Sequence, residues 1–356
     1  MDMGFEQAGF DIVWTNEFDE SFAKLHAAGI TSWRKSKGIN VEAEIFNTKS
    51  IVDISSKEII GEAFPNGKPK YFGIIGGPPC QDFSINGKLK GFKGDRGKLT
   101  ILFLKKIYEL KPSFFVMENV TGLMKVKSNK LFLEKLLKKL KSKYIFDYKI
   151  LNSLEYGVPQ NRERVFIVGF KKDLNFIESF NEDFFRFDWP KNEKYMNIQK
   201  KINWPKTNNY GEDVNMPVEV PIELCVNSCL VSKDKMDVIK NANEFFPFRV
   251  DEEKLNNIQE GETNRPSFKR LHRFRYSPTA CYGNNEVHLH PYENRRISVR
   301  EALRIQGVSD NYELPEEIKL TKKFKMIGNG VPVPLAEAVA VSILDFIKKY
   351  IILKID

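Results

Sequence analysis

Three short runs carry residue types that could do chemistry on a polar ring. In Gly76-Gly77-Pro78-Pro79-Cys80-Gln81, an apolar run over 71–75 delivers the chain to a rigid loop, and a thiol follows two prolines. A thiol at the carboxyl end of a sheet suits a nucleophile, because open α/β folds place their sites there. Read alone, it is equally a buried cysteine beside a turn. In Met117-Glu118-Asn119-Val120 a carboxylate follows an apolar strand. It is placed for acid–base work or for holding a polar ring edge, or else for capping the next helix. In Gln160-Asn161-Arg162-Glu163-Arg164 the alternation of a strand puts Arg162 and Arg164 on one side. Two guanidinium forks there suit phosphate or base contacts; the alternative is a structural ion pair with Glu163 or another acid.

Short apolar runs alternating with helical patterns predict a parallel α/β sheet to position these runs. Phe10–Trp14 reads as a strand, followed by a helix carrying Phe18, Phe22 and Leu25 at helical spacing. Tyr71–Ile75 and Phe114–Met117 read as buried strands, and Leu99–Leu110 as a helix between them. Phe132, Leu136 and Leu140 stripe a lysine-rich helix, with the lysines as its solvated face. Arg164–Phe170 is a further strand. From about Lys171 to about Tyr292, Asn, Lys, Pro and aromatic residues mix without sustained periodicity, which marks a second domain. Regularity returns with Ser298 and Glu301, spaced as a capping box, and with a last helix from near Pro334 carrying Leu335, Val339, Ile343 and Phe346. The predicted division is 1–170, 171–292, and 293–356 returning to the first domain.

A chain of 356 residues with 42% hydrophobic and 29% charged residues suits one large globular domain plus a smaller one. No apolar run reads as long enough to span a bilayer, and the N-terminus lacks the basic-then-apolar pattern of a secretory signal, so the cytosol is the expected location. Lys+Arg number 56 against 47 Asp+Glu, a net charge of +9 that suits a polyanionic partner. Cys80, Cys225, Cys229 and Cys281 form no C-x-x-C pair, and with His288 and His290 they match no common zinc-module spacing.

The order and context of the runs decide between the alternatives. Pro-Cys-Gln, then Glu-Asn-Val, then Gln-x-Arg-x-Arg, then Gly328-Asn329-Gly330-Val331 resembles the cytosine-C5 DNA methyltransferase family. Asp95-Arg96-Gly97-Lys98-Leu99 is similar to its fifth motif and Arg300–Gly307 to its ninth, and the resemblance runs from Gly4 to about Ala340. It implies a Rossmann-like S-adenosylmethionine-dependent methyltransferase sheet with a smaller, irregular target-recognition domain. It also implies that a cytosine is flipped out of duplex DNA, since its reactive carbons are unreachable inside the stack. By resemblance Cys80 attacks carbon 6, Glu118 holds the amino group and ring nitrogen 3, and Arg164, with Arg162 beside it, contacts the base carbonyl. Glu17, Asp53, Pro79, Leu99, Asn329 and Val331 fall at cofactor positions, and Gln81 and Ser84 at DNA-contacting ones. The region 171–292 aligns with target recognition, and its Arg265, Lys269, Arg270, Arg273 and Arg275, interleaved with Phe268, Phe274 and Tyr276, suit phosphate contact and base reading. A solvated basic loop is the alternative. The implied partners are double-stranded DNA and a restriction endonuclease acting separately, around a monomeric bacterial enzyme.

One departure stands out. The family opens with a strand and a Phe-x-Gly-x-Gly-Gly loop, roughly ten to fifteen residues, whereas Met1-Asp2-Met3-Gly4-Phe5-Glu6 looks like the helix that follows them. A misplaced start or a true truncation accounts for this. The expectation is that the polypeptide as written folds marginally and binds S-adenosylmethionine poorly, because neighbouring strands lack a ladder partner. Three rival functions were weighed: an RNA-directed relative, a non-catalytic DNA-binding relic, and a Cys-dependent hydrolase. The last needs a histidine near the thiol, and His26, His272, His288 and His290 sit in no triad context.

Overall fold

The structure, a computed structural model, describes residues 1–39, 45–79, 95–172, 185–248, 252–280, 282 and 287–352. Cys80, Gln81, Ser84 and Cys281 lie outside the described residues. In chain order come α1 (Asp2–Gln7), β1 (Trp14–Asn16), α2 (Glu20–Lys37), β2 (Ile45–Asn47), α3 (Ser56–Ala63) and β3 (Gly73–Gly76). There follow α4 (Asp95–Leu110), β4 (Phe114–Val120), α5 (Gly122–Lys125), α6 (Lys127–Leu140), β5 (Tyr144–Asn152) and β6 (Glu163–Lys171). The remainder is sparser, with α7 (Ile198–Lys201), α8 (Glu252–Asn256), α9 (Val299–Ile305), α10 (Leu320–Asn329) and α11 (Val333–Ile347).

β1 pairs in parallel with β2, and β3-β4-β6-β5 form a separate four-stranded sheet. Among the described residues no ladder joins β1 to β3, so each presents an open edge. β3 lies parallel to β4, but β6 runs antiparallel to both β4 and β5, which corrects the parallel sheet expected from sequence to a mixed one. The connection explains the difference. A parallel return needs a crossover of a dozen or more residues, usually a helix, and between β5 and β6 there is only the 3-10 turn Ser153–Tyr156.

Strand alternation sends β4 and β6 side chains to two cores. On one face Phe115, Met117, Val165 and Ile167 meet Leu104 and Ile107 of α4 and Leu133 and Leu137 of α6. On the other, Val116, Phe166, Val168 and Phe170 meet Phe5 of α1 and Leu335, Val339, Ile343 and Phe346 of α11. A Cβ at Gly4 would stand 2.6 Å from the Glu337 backbone nitrogen, so the close approach of α1 to α11 depends on glycine there.

One sequence expectation is revised. Leu320–Tyr350 is by length and composition apolar enough to cross a membrane. It is instead broken at Gly330 and Pro332 into α10 and α11, whose apolar residues serve the cores just described and a third one. Phe185, Phe187 and Trp189 join the α11 core, with Phe170 stacked on Phe346 at 4.1 Å. The irregular region has small clusters of its own, around Trp204 and Leu224 and around Leu255 and Leu289, and also shares a core with the rest of the chain. Val226, Cys229, Leu271 and Ala280 pack with Leu25, Ile30 and Trp33 of α2 and with α9 and α10. Burial pushes the Cys225 and Cys229 thiols up to about 12, so both are protonated packing groups.

β1 and β2 are three residues each with one partner apiece, whereas β4 is paired on both sides. Short, singly paired ladders open at low free energy. Protection from hydrogen exchange should therefore be lost at Thr15 and Phe46 well before Val116 and Val168; equal protection at both places would contradict this account.

Candidate active site

The parallel register sets Gly76 opposite Met117, so the loop leaving β3 runs beside Glu118. Two contacts fix that loop. Asn119, itself buried, donates from Nδ2 to the Pro78 carbonyl at 3.0 Å. A Cβ at Gly77 would stand 3.0 Å from Glu118 Oε2, so the loop passes the carboxylate as closely as glycine permits. Cys80 follows two residues after Pro78, outside the described residues; Pro79, the last described residue of the loop, is exposed. Gly77→Ala is expected to displace the carboxylate and lower the turnover rate by roughly tenfold to a hundredfold with little change in melting temperature, as steady-state kinetics and thermal unfolding would read out.

Glu118 is 9% exposed and receives Arg164 Nε at 3.1 Å. Its pKa is raised above the ordinary carboxylate value because burial disfavours the charged form more than Arg164 and Arg162 favour it. A carboxyl whose pKa is raised keeps its proton to a higher pH than an ordinary glutamate, which favours acid–base work on a ring nitrogen.

Arg162 departs from the role expected of it. Its side chain is buried and donates to the carbonyls of Ala280 at 3.1 Å, Gly328 at 2.8 Å and Gly330 at 3.0 Å. Its fork is thereby engaged by backbone. It ties β6 to the irregular region and to the Gly328-Asn329-Gly330 turn at once.

That turn borders a cavity of about 300 Å³ whose lining includes Glu17, Asn329 and Val331, as the resemblance implies. This volume is at the lower end of the small-molecule range. Asp53, exposed after β2, and Leu99, half-buried on α4, are not among its lining residues. Residues the sequence reading did not single out for the cavity are Asn16, His26 and Gln306. His26 Nε2 lies 3.2 Å from Asp2 Oδ2. Phe18 stands next to Glu17 and is 70% exposed, a flat ring offered to solvent. The sequence placed Phe18 on the apolar stripe of α2 with Phe22 and Leu25; it instead precedes the helix, whose cap is Asp19.

The basic run of the irregular region divides by partner. Arg270 is fully buried and donates to the carbonyls of Leu255, Ile258 and His290, so the expectation that it contacts DNA is corrected: its donors are engaged inside the fold. Arg273 grips the buried Glu260 with Nε and Nη2, the closest approach being 2.8 Å, which likewise makes it structural. Arg265 pairs with Glu262, and Lys269 is half-buried.

Comparison with known proteins adds to this geometry. The profile of the family described as C-5 cytosine-specific DNA methylase matches residues 1–345. Similar proteins include the type II methyltransferase M.NmeDI of Neisseria meningitidis serogroup C, 37% identical and covering 98% of this chain and 82% of that protein. Another is M.FnuDI of Fusobacterium nucleatum, 31% identical over 96% of this chain and 90% of that protein. Among solved structures, a DNA modification methyltransferase from an E. coli prophage superposes with a TM-score of 0.66 at 24% identity, covering 97% of this chain and 95% of that one. The Dnmt2 methyltransferase of S. pombe gives 0.57 at 14% identity, covering 98% and 94%. At such identities the likeness shows the fold, a methyltransferase α/β architecture.

Proposed function

We propose, for a chain that belongs to the C-5 cytosine-specific DNA methylase family and is a DNA cytosine-5-methyltransferase, that it methylates a flipped-out cytosine through a covalent bond to Cys80. The observation that carries this reading is the Asn119–Pro78 bond, which holds Pro78, two residues ahead of Cys80 in the sequence, against the strand bearing Glu118. The Cys80 thiolate adds to carbon 6 of the ring, forming an S–C bond and interrupting the aromaticity that makes carbon 5 a poor nucleophile. Glu118 gives ring nitrogen 3 a proton as that bond forms, so the electron pair gathers toward carbon 5. Arg164 steadies the carboxyl and faces the base carbonyl. Once carbon 5 has gained a methyl group, its proton leaves to a base, the S–C bond breaks to return the Cys80 thiolate, and ring nitrogen 3 gives its proton back to Glu118.

The cavity fits S-adenosylmethionine on its own chemistry. The Glu17 carboxylate suits a ribose diol, the neighbouring exposed Phe18 ring suits an adenine face, and Asn329 and Val331 close the opposite side. When bound, that molecule supplies an electrophilic methyl group. The rest of the reading is a specific duplex DNA sequence as substrate, a separately acting restriction endonuclease as partner, a monomer, and a cytoplasmic setting. It draws on the type II restriction–modification character of the relatives. No contact in the structure favours a DNA-binding relic, since Glu118 and Arg164 keep their partnership.

A duplex carrying 5-fluorocytosine tests the chemistry, because fluorine does not depart as a proton and the S–C bond then persists. With S-adenosylmethionine and DNA of mixed sequence, a denaturant-stable protein–DNA species is expected, and none with Cys80→Ala. Methyl transfer to ordinary DNA without any trapped species on the fluorinated duplex would sink the covalent route.

A further inference from the structure

The sequence left open which residues of the irregular region read DNA. The structure contains a second recess, of about 170 Å³, whose lining includes Asn161, Gln199, Thr263, His272, Arg275 and Tyr276. It lies where that region is stitched to the start of β6. Gln160 bridges Ser277, the Asn161 amide donates to the Ser277 carbonyl at 2.8 Å, and the Thr279 hydroxyl donates to the Asn161 carbonyl at 2.8 Å. Asn161 is three residues ahead of Arg164, about 10 Å along an extended chain. That span equals about three base steps of a DNA strand.

The recess is lined with donors. Asn152 Oδ1 accepts from the Leu154 and Arg162 amides, so Asn152 presents its NH₂ to Asn161 Oδ1, at 2.7 Å. This fixes the Asn161 amide and leaves its own NH₂ as the group offered to the recess. Arg275 lays its guanidinium over the Tyr276 ring at 5.2 Å and uses Nη1 on the Pro205 carbonyl at 3.2 Å. A guanidinium carries five N–H donors, so most of the fork is left for a ligand. Gln199 donates to the Tyr276 hydroxyl at 3.2 Å, which leaves that hydroxyl's own proton to give. His272 adds no charge: its Nδ1 accepts from the Phe274 amide, and burial lowers its pKa. Among the arginines of the basic run, Arg270 serves carbonyls while Arg273 and Arg265 serve acids. Arg275 is the one that neither spends its fork on three buried carbonyls, as Arg270 does, nor forms a salt bridge with an acid among the described residues.

We propose that this recess takes a pair of hydrogen-bond acceptors on the DNA beside the target cytosine, with Arg275 as the principal donor and Asn161 as the second. This chemistry matches both a guanine edge, with its O6 and N7, and a backbone phosphate. The proposal rests on the reading that places the target at Glu118 and Arg164.

The test uses the full chain on mixed-sequence duplex DNA, with methylated positions mapped by sequencing and DNA binding measured across a salt series. If the acceptors belong to guanine, Arg275→Lys keeps the salt slope but relaxes the preference at one flanking position by about tenfold or more. If they belong to a phosphate, Arg275→Gln weakens binding to all sequences alike and lowers the salt slope by about one. Asn161→Asp retains the acceptor for Asn152 and exchanges a donor for a negative charge. It should weaken binding about tenfold or more at an unchanged melting temperature, which guards against a folding defect in the arginine variants. Unchanged sequence profile, salt slope and affinity in all three variants would overturn the recess while leaving the active site standing. Full-rate methylation by Glu118→Gln would instead remove the target from Glu118, and the recess would fall with it.

Discussion

Glu118→Gln is expected to slow methyl transfer by about 10²- to 10⁴-fold while leaving the fold in place. Glutamine fills the same volume and can still offer an N–H to ring nitrogen 3, so the loss isolates proton transfer from mere recognition. The pH dependence gives a sharper signature. Burial raises the Glu118 pKa, so the carboxyl keeps its proton to a higher pH than an ordinary glutamate. A group whose pKa is raised on folding contributes stability below its unfolded value and loses that contribution as pH rises through its folded value. The protonated form that serves ring nitrogen 3 declines over the same interval. The rate profile should therefore carry a limb falling with rising pH that belongs to Glu118 and is absent in Glu118→Gln. Arg164→Ala removes the nearer opposing cation and should move that limb to higher pH. A limb that stays in place in both variants would assign it to another group.

Arg162→Ala is expected to cost about 3–5 kcal/mol of stability and to weaken cofactor binding although Arg162 is not among the residues lining the cavity. The side chain satisfies three backbone carbonyls in a site with no exposure to water to speak of, and each orphaned carbonyl carries a desolvation penalty. The Gly328-Asn329-Gly330 turn would lose its anchor, and Asn329 and Val331 with it. Arg162→Lys is no rescue, because one ammonium lacks the planar fork that reaches Ala280 and the turn together. Denaturant unfolding reads the stability, and titration with S-adenosylhomocysteine reads the cavity. A variant with wild-type stability and affinity would make the three bonds incidental.

The contrast between these two residues shows what could be read from sequence. Glu118 was legible because a carboxylate directly after an apolar strand has few uses, and the ordered motifs around it narrowed them to one. Arg162 was legible as an arginine on the same side of a strand as Arg164, but its partners are carbonyls more than a hundred residues away, and carbonyls leave no trace in a sequence. The same limit applied to Arg270 and Arg273, which look like DNA-facing residues by type and are held inside by carbonyls and by the buried Glu260. Helices and buried strands were placed well where apolar period and length agreed, as for β4, α4 and α11, and the Ser298–Glu301 capping box formed as read. The antiparallel run of β6 was missed because apolar composition reports burial and says little about direction. The packing of Phe185, Phe187 and Trp189 on the α11 core is not legible in sequence, because a short aromatic run without periodicity reads as irregular wherever it packs.

Arg162 also makes the molecule a candidate for thermodynamic linkage. The same guanidinium clasps Ala280, beside the segment that meets DNA in the proposed recess, and Gly328 and Gly330, which flank Asn329 at the cavity. A ligand that stiffens one end of that clasp lowers the ordering cost at the other. Reciprocity then fixes the arithmetic: whatever factor S-adenosylhomocysteine adds to the affinity for DNA, DNA must add to the affinity for S-adenosylhomocysteine. With the cavity holding the methyl donor and the recess holding DNA as proposed, each ligand would be the other's effector.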